Sequence, residues 1–105
     1  MKLDGVNALA KIMEYLIRLY EQNENGTTLY KITRDAFLGL TTQKESRIKE
    51  FLENLILKDY VRALKMGDGH VYYSVTKEGI DFYKYQLRGV IDVLNLQKQP
   101  FNNYD

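Results

Sequence analysis

Apolar residues recur every three or four positions early in the chain: Leu9, Ile12, Met13, Leu16, Ile17 and Tyr20. That spacing lines one side of a helix. It predicts a helix over residues 8–22, with Asn7 as its N-cap. Asn23-Glu24-Asn25-Gly26 should end it, Gly26 supplying the freedom to reverse. Thr27-Thr28-Leu29 is short and β-branched and reads as a small strand. A second helix is expected from Tyr30 to Leu38, burying Ile32, Ala36 and Phe37, with Gly39 just beyond its end. Gly39-Leu40-Thr41 forms the turn. Thr42 followed by Glu45 makes a capping box, so a third helix should run from there to Lys58. Ile48, Phe51, Leu52, Leu55 and Ile56 share one side of it. Gln43, Ser46, Arg47, Glu50 and Asn54 take the other.

The period then shortens to two. Tyr60 to Lys65 and Val71 to Val75 are β-rich runs on either side of Gly67-Asp68-Gly69-His70. They predict a hairpin, with Asp-Gly in a two-residue type I′ turn. Thr76 should cap a last helix from Lys77 to Gln97, roughly 30 Å long. Ile80, Tyr83, Leu87, Val90 and Leu94 fall at heptad spacing, with Ile91 beside them. The expected fold is mainly α with a small β-hairpin (α+β), in the order α-α-α-β-β-α. It is one domain, residues 1–98, in which 77–97 form a long dimerisation helix. Residues 99–105 are expected to be a flexible tail.

Composition narrows the chemistry. The chain has 105 residues and no cysteine, which excludes disulfides and thiolate metal sites. The first residues lack the apolar run of a signal peptide, and no segment is apolar enough to span a bilayer. A cytoplasmic protein with no membrane role is expected. Net charge is only +1, but it is unevenly spread. Residues 29–65 carry eight Lys or Arg against five acids, whereas residues 66–105 carry four against five. Positive charge gathers around the third helix and the hairpin.

A polar, mildly basic helix following a short helix and a turn is the arrangement that enters a DNA major groove. The order of elements is that of a winged helix-turn-helix. Thr42, Gln43, Lys44, Ser46 and Arg47 are the expected DNA contacts on the third helix. Arg47 can fork to guanine, Gln43 can pair with adenine, and Lys44 is assigned to phosphate. Arg62, Lys65 and His70 are the expected contacts of the hairpin on backbone or minor groove. Ile80, Tyr83, Leu87, Val90, Ile91 and Leu94 are the expected dimer interface. Tyr15, Tyr20, Tyr60, Tyr73 and Tyr83 are expected to pack in the core or an interface, and Tyr72 and Tyr85 to be more exposed. His70 is the single histidine, so no metal site is expected.

These residues carry a resemblance. Ser46-Arg47-Ile48-Lys49-Glu50-Phe51-Leu52-Glu53-Asn54-Leu55, running into Leu57-Lys58-Asp59-Tyr60-Val61, is similar to the recognition helix and strand entry of small archaeal winged-helix DNA-binding proteins. It also resembles the broader MarR-like and PadR-like regulators. Tyr73-Ser74-Val75-Thr76-Lys77-Glu78-Gly79 resembles their "tyrosine-x-leucine-threonine-x-x-glycine" exit from the wing. The long terminal helix resembles the one that pairs as an antiparallel coiled coil in some of them. This chain departs in having Asp59 where many relatives have glycine, and in a less basic wing. The resemblance implies a homodimer on double-stranded DNA and a transcription regulator.

Two other functions fit the same residues. A winged helix can dock a protein partner, with Glu50 and Glu53 making contacts. An architectural chromatin protein would bind everywhere, but such proteins are usually far more basic. An enzyme is not expected, because the chain has no glycine-rich phosphate loop, no cysteine nucleophile and no metal-ligand spacing. No cofactor is expected, and nothing in the sequence identifies a small-molecule effector.

Overall fold

The computed structural model describes residues 5–37 and 45–89. Within them the order is α1 (Gly5–Glu21), α2 (Leu29–Ala36), α3 (Glu45–Leu57), β1 (Val61–Lys65), β2 (Val71–Val75) and α4 (Lys77–Phe82). A π turn, Tyr83–Leu87, continues α4. The expected order α-α-α-β-β-α is the observed one.

The core is built by the predicted apolar stripes. Ile12, Met13 and Leu16 of α1 meet Ile32 of α2 and Ile48 and Leu52 of α3, all fully buried. Val61, Tyr73 and Val75 close it from the hairpin. At roughly 25 cal/mol per Å2 of apolar area, burying such side chains is the main force holding three short helices together.

Helix ends show where local chemistry and packing part company. α1 begins at Gly5, so Asn7 lies in its first turn rather than at its N-cap. A Cβ at Gly5 would lie 3.7 Å from Phe51 Cε1, an ordinary contact distance. At its other end, Asn23 takes φ +63°. Glu24 N–H donates to Leu19 O at 2.9 Å and Asn23 N–H to Tyr20 O at 3.0 Å. This is a Schellman cap, with Asn23 in the left-handed position usually held by glycine. Gly26, at φ +107°, is needed for a second reason: a Cβ there would lie 2.6 Å from the Tyr73 carbonyl oxygen.

The same cap ends α3. Tyr60 N–H donates to Leu55 O and Asp59 N–H to Ile56 O, each at 2.9 Å, with Asp59 at φ +64°. An L side chain is strained there, which explains a preference for glycine at this position. Asp59→Gly is therefore expected to raise stability by roughly 0.5–1 kcal/mol, the relief of strain exceeding the added chain entropy. A thermal melt showing a lower Tm would contradict this.

Thr27-Thr28-Leu29 divides its roles. Thr27 forms an isolated bridge to Tyr73, while Thr28 caps α2 by accepting from Lys31 N–H at 3.3 Å. The hairpin differs from the expected two-residue type I′ turn. Met66 N–H donates to His70 O and Gly69 N–H to Met66 O, both at 2.9 Å. Only Gly69, at φ +85°, has positive φ in the loop. A type I′ turn needs two such residues, so Gly67-Asp68-Gly69 forms instead a three-residue loop of a type I turn closed by a left-handed glycine.

The π turn interrupts the expected heptad. Arg88 N–H bonds to Tyr83 O, five residues back, so one turn holds an extra residue and the stripe loses its phase. Tyr20, expected to pack, is 58% exposed, although its neighbour Leu19 still packs against the core. Tyr85 is exposed as expected.

Candidate nucleic-acid interface

The orientation of α3 decides what it can touch. Ile48, Leu52 and Leu55 point into the core. At about 100° per residue, Ser46, Glu50 and Glu53 then face outward, Glu45 and Lys49 take one flank, and Arg47 the other. The hairpin lies on the Glu45–Lys49 flank. Between them runs an open groove of about 520 Å3, with His70, Val71 and Tyr73 on one wall and Glu45 and Lys49 opposite. Tyr30 and the Thr28–Leu29 entry to α2 close its end. The helix and the glycine-tipped loop thus border one shared depression.

The expected contacts fall into three groups. His70 lines this groove, Ser46 faces outward from α3 next to the Glu45–Lys49 flank, and Lys65 pairs in register with Val71 on the same side of the sheet. Arg47 does not share the groove. Its Cζ sits 4.9 Å from the centre of the Phe51 ring, and Nη1 is 3.4 Å from Glu50 Oε1. An exposed pair of this kind contributes at most about 1 kcal/mol, so Arg47 can leave it for a phosphate or a base. Arg62 lies apart, in a second groove of about 420 Å3 alongside Asp59 and Glu78. Thr42, Gln43 and Lys44 lie outside the described residues.

The tip carries a negative charge that the sequence left unplaced. Asp68 accepts from His70 N–H at 2.9 Å and from the Tyr72 hydroxyl at 2.8 Å. These bonds, the His70 amide first, hold its carboxyl below the usual range. Asp68 therefore stays ionised at neutral pH, with both oxygens bonded, and stiffens the loop that presents His70. At the other end of the groove, Arg34 Cζ lies 5.6 Å from the centre of the Tyr30 ring and binds Asp35 at 2.7 and 3.1 Å. The Tyr15 hydroxyl donates to the same carboxylate at 2.9 Å. Arg34, then Tyr15, holds Asp35 below the ordinary carboxylate range. This network ties α1 to α2 and fixes the helix that carries Tyr30.

Lys49 and Tyr30 are the groove residues that sequence reasoning missed. Lys49 lies one turn beyond Glu45 on the same flank, a spacing visible in the sequence. Which flank meets the hairpin is set only by tertiary packing.

Three residues of the expected dimer interface have partners within the chain. Leu87 is 5% exposed and belongs to the chain's own core; Ile80 and Tyr83 pack against it. The Tyr83 hydroxyl donates to Glu14 of α1 at 2.7 Å. Val90, Ile91 and Leu94 lie outside the described residues. Among the described residues, no helix is long and apolar enough to cross a membrane and no cluster of potential metal ligands occurs.

No family model and no curated protein sequence matches the chain. Solved structures do. A transcriptional regulator from Clostridium thermocellum aligns with TM-score 0.65 at 19% identity, covering 88% of this chain and 90% of its own. A mutant of S. aureus MepR bound to an oligodeoxyribonucleotide aligns with TM-score 0.59 at 15% identity, covering 92% and 67%. An Archaeoglobus fulgidus protein aligns with TM-score 0.56 at 11% identity, covering 93% and 94%. At these identities the likeness is one of fold. Together with the element order it defines a winged helix-turn-helix, in which α2 and α3 are the helix pair and β1–β2 the wing.

Proposed function

We propose that this protein binds double-stranded DNA as a homodimeric transcription regulator. The helix containing α3 enters the major groove, and the wing tip follows the adjacent backbone or minor groove. The observation that carries this is the shared groove, which sets Lys49 of α3 and His70 of the wing on facing walls. A phosphate strand lying there meets the Lys49 ammonium from α3 and the His70 ring N–H, a hydrogen-bond donor, from the wing. Similar folds include a transcriptional regulator and a structure bound to an oligodeoxyribonucleotide, which supports the same function for this one. Kinship with small archaeal, MarR-like or PadR-like regulators, pairing through the helix that follows the π turn, and a cytoplasmic location belong to the same proposal.

A near-neutral chain should read DNA with few phosphate contacts. If Lys44, Arg47 and Lys49 each neutralise one phosphate, log K against log salt should fall with a slope of about −3 per protomer. Binding to genomic fragments across a salt series tests this. A steep slope without any preferred fragment would leave DNA binding but remove the regulator.

One observation favours docking to a protein instead. The outward side of α3 carries Glu50 and Glu53 and ends in Leu57, which is 81% exposed. Absence of any DNA complex at low salt, with a specific protein retained on the immobilised chain, would select that function.

A further inference from the structure

We propose that the outer edge of β1 is an association surface for a second copy of this chain, the two β1 strands pairing antiparallel about a two-fold axis at Ala63. This does not rest on DNA binding. The bonds at the two ends of the hairpin, Met66 N–H to His70 O and Thr76 N–H to Tyr60 O, fix the parity of the ladder. Arg62 and Leu64 turn their backbone groups toward β2, and Val61, Ala63 and Lys65 turn theirs outward. On the far side of the sheet, β2 is covered at Tyr73, which exchanges bonds of 2.9 and 2.7 Å with Thr27. Among the described residues no backbone bond reaches the outer edge of β1. Among the described residues β2's outer edge is bridged at Tyr73, whereas β1's outer edge is open and carries Leu64 at 57% exposure.

Charge identifies the occupant. Pairing about Ala63 makes about six inter-chain hydrogen bonds, from Ala63 to the partner's Ala63 and from each Val61 to the opposite Lys65. Lys65 then arrives at the partner's Val61, in the groove lined by Asp59 and Glu78. The symmetry repeats this contact. Arg62 falls opposite the partner's Leu64 and covers that exposed side chain with its stem. No like charges face each other. An axis at Arg62 would set two arginines opposite each other and turn the wrong backbone groups outward. An unrelated peptide would have to supply a base at the same spacing, whereas a second copy does so by construction. Exposed edges are usually guarded by charge, and here the guarding lysine is matched by acids on the same surface.

The chain has no cysteine, so Ala63→Cys introduces the single thiol. Across an antiparallel hydrogen-bonded pair the Cα atoms lie ~5.5 Å apart, within disulfide range. Under mild oxidation the Ala63→Cys chain should cross-link at least about tenfold faster than Leu57→Cys, because pairing raises the effective thiol concentration. Ala63→Pro removes an N–H that β2 does not use, so the chain should fold yet lose one association step in sedimentation over a concentration series. Lys65→Glu should weaken the same step, and adding Glu78→Lys should restore it. Equal cross-linking rates would overturn the proposal. So would a folded Ala63→Pro chain that sediments as wild type. If Ala63→Pro fails to fold, an unchanged step in Lys65→Glu would overturn it.

Discussion

Gly79→Ala is expected to cost on the order of 4 kcal/mol, a large part of the ~5–15 kcal/mol that holds a domain of this size. The first turn of α4 presses directly on the strand entry. A Cβ at Gly79 would overlap the Tyr60 carbonyl oxygen and lie 2.9 Å from both the Tyr60 carbonyl carbon and Val75 Cγ2. No flexible side chain can yield, because two of the three obstacles are backbone. Thr76 makes retreat harder. Its hydroxyl donates to Asp59 O at 2.6 Å and accepts from Gly79 N–H at 3.0 Å, while its own N–H bonds Tyr60 O at 3.1 Å. Moving α4 away would break that clamp. Gly67→Ala is the control: no atom lies within 4 Å of its Cβ position, and its φ is not in the left-handed region. It should melt at or slightly above the wild-type temperature. If urea titration finds Gly79→Ala as stable as Gly67→Ala, the close approach of α4 to Tyr60 is not real.

Lys49→Glu should lower DNA affinity about 30–100-fold and leave the melting temperature nearly unchanged. Lys49 is exposed and contributes nothing to the core, so the fold is not at stake. The change removes one cation from the wall facing His70 and puts an anion beside Glu45. A lost charged contact costs about 1–3 kcal/mol, and the new repulsion adds to it. Because phosphate contacts carry no sequence information, weakening should be uniform across fragments. Lys49→Ala should flatten the salt slope by about 1. Arg47→Ala provides the contrast. On the flank away from the wing, it should relax preference at one base position if Arg47 reads a base, and change little if Arg47 stays with Glu50 and Phe51. Equal affinity of Lys49→Glu and wild type would remove the groove from the DNA path.

Much of the fold could be read from periodicity. The apolar stripe of α1, the Ile48–Leu55 side of α3 and the two β runs each settle on the predicted side, because burial and local spacing agree there. Thr76 and Gly79 were readable as a motif, and their reason became visible only in three dimensions: one clamps the α3–β1 turn, the other lets two backbones meet. Where local signals competed with packing, packing won. Asp-Gly suggested a two-residue turn, but the ladder needed three residues. The heptad from Ile80 onward assumed a constant period, which the extra residue in the π turn breaks. That turn helps seat Leu87 inside the chain itself.

The candidate site was less legible. The sequence pointed to the third helix and the hairpin as the candidate site, but not to the roll of α3 about its axis. That roll favours Lys49 over Arg47 for the groove, while Arg62 of β1 lines the separate groove beside Asp59 and Glu78. It depends on long-range contacts between Ile48, Leu52 and α1, which one-dimensional spacing does not encode. The charge on Asp68 also went unplaced, since its two hydrogen bonds exist only once the loop has closed.

Backbone amide shifts, followed by NMR while a duplex is titrated into the isotope-labelled protein, test the central claim most directly. Lys49, Ser46, Gly69 and His70 should move together and saturate at one stoichiometry, while Lys11 and Arg18 on α1 stay still. Shifts confined to Glu53 and Leu57, or signals unmoved even at low salt, would show that helix and wing do not share a nucleic-acid strand.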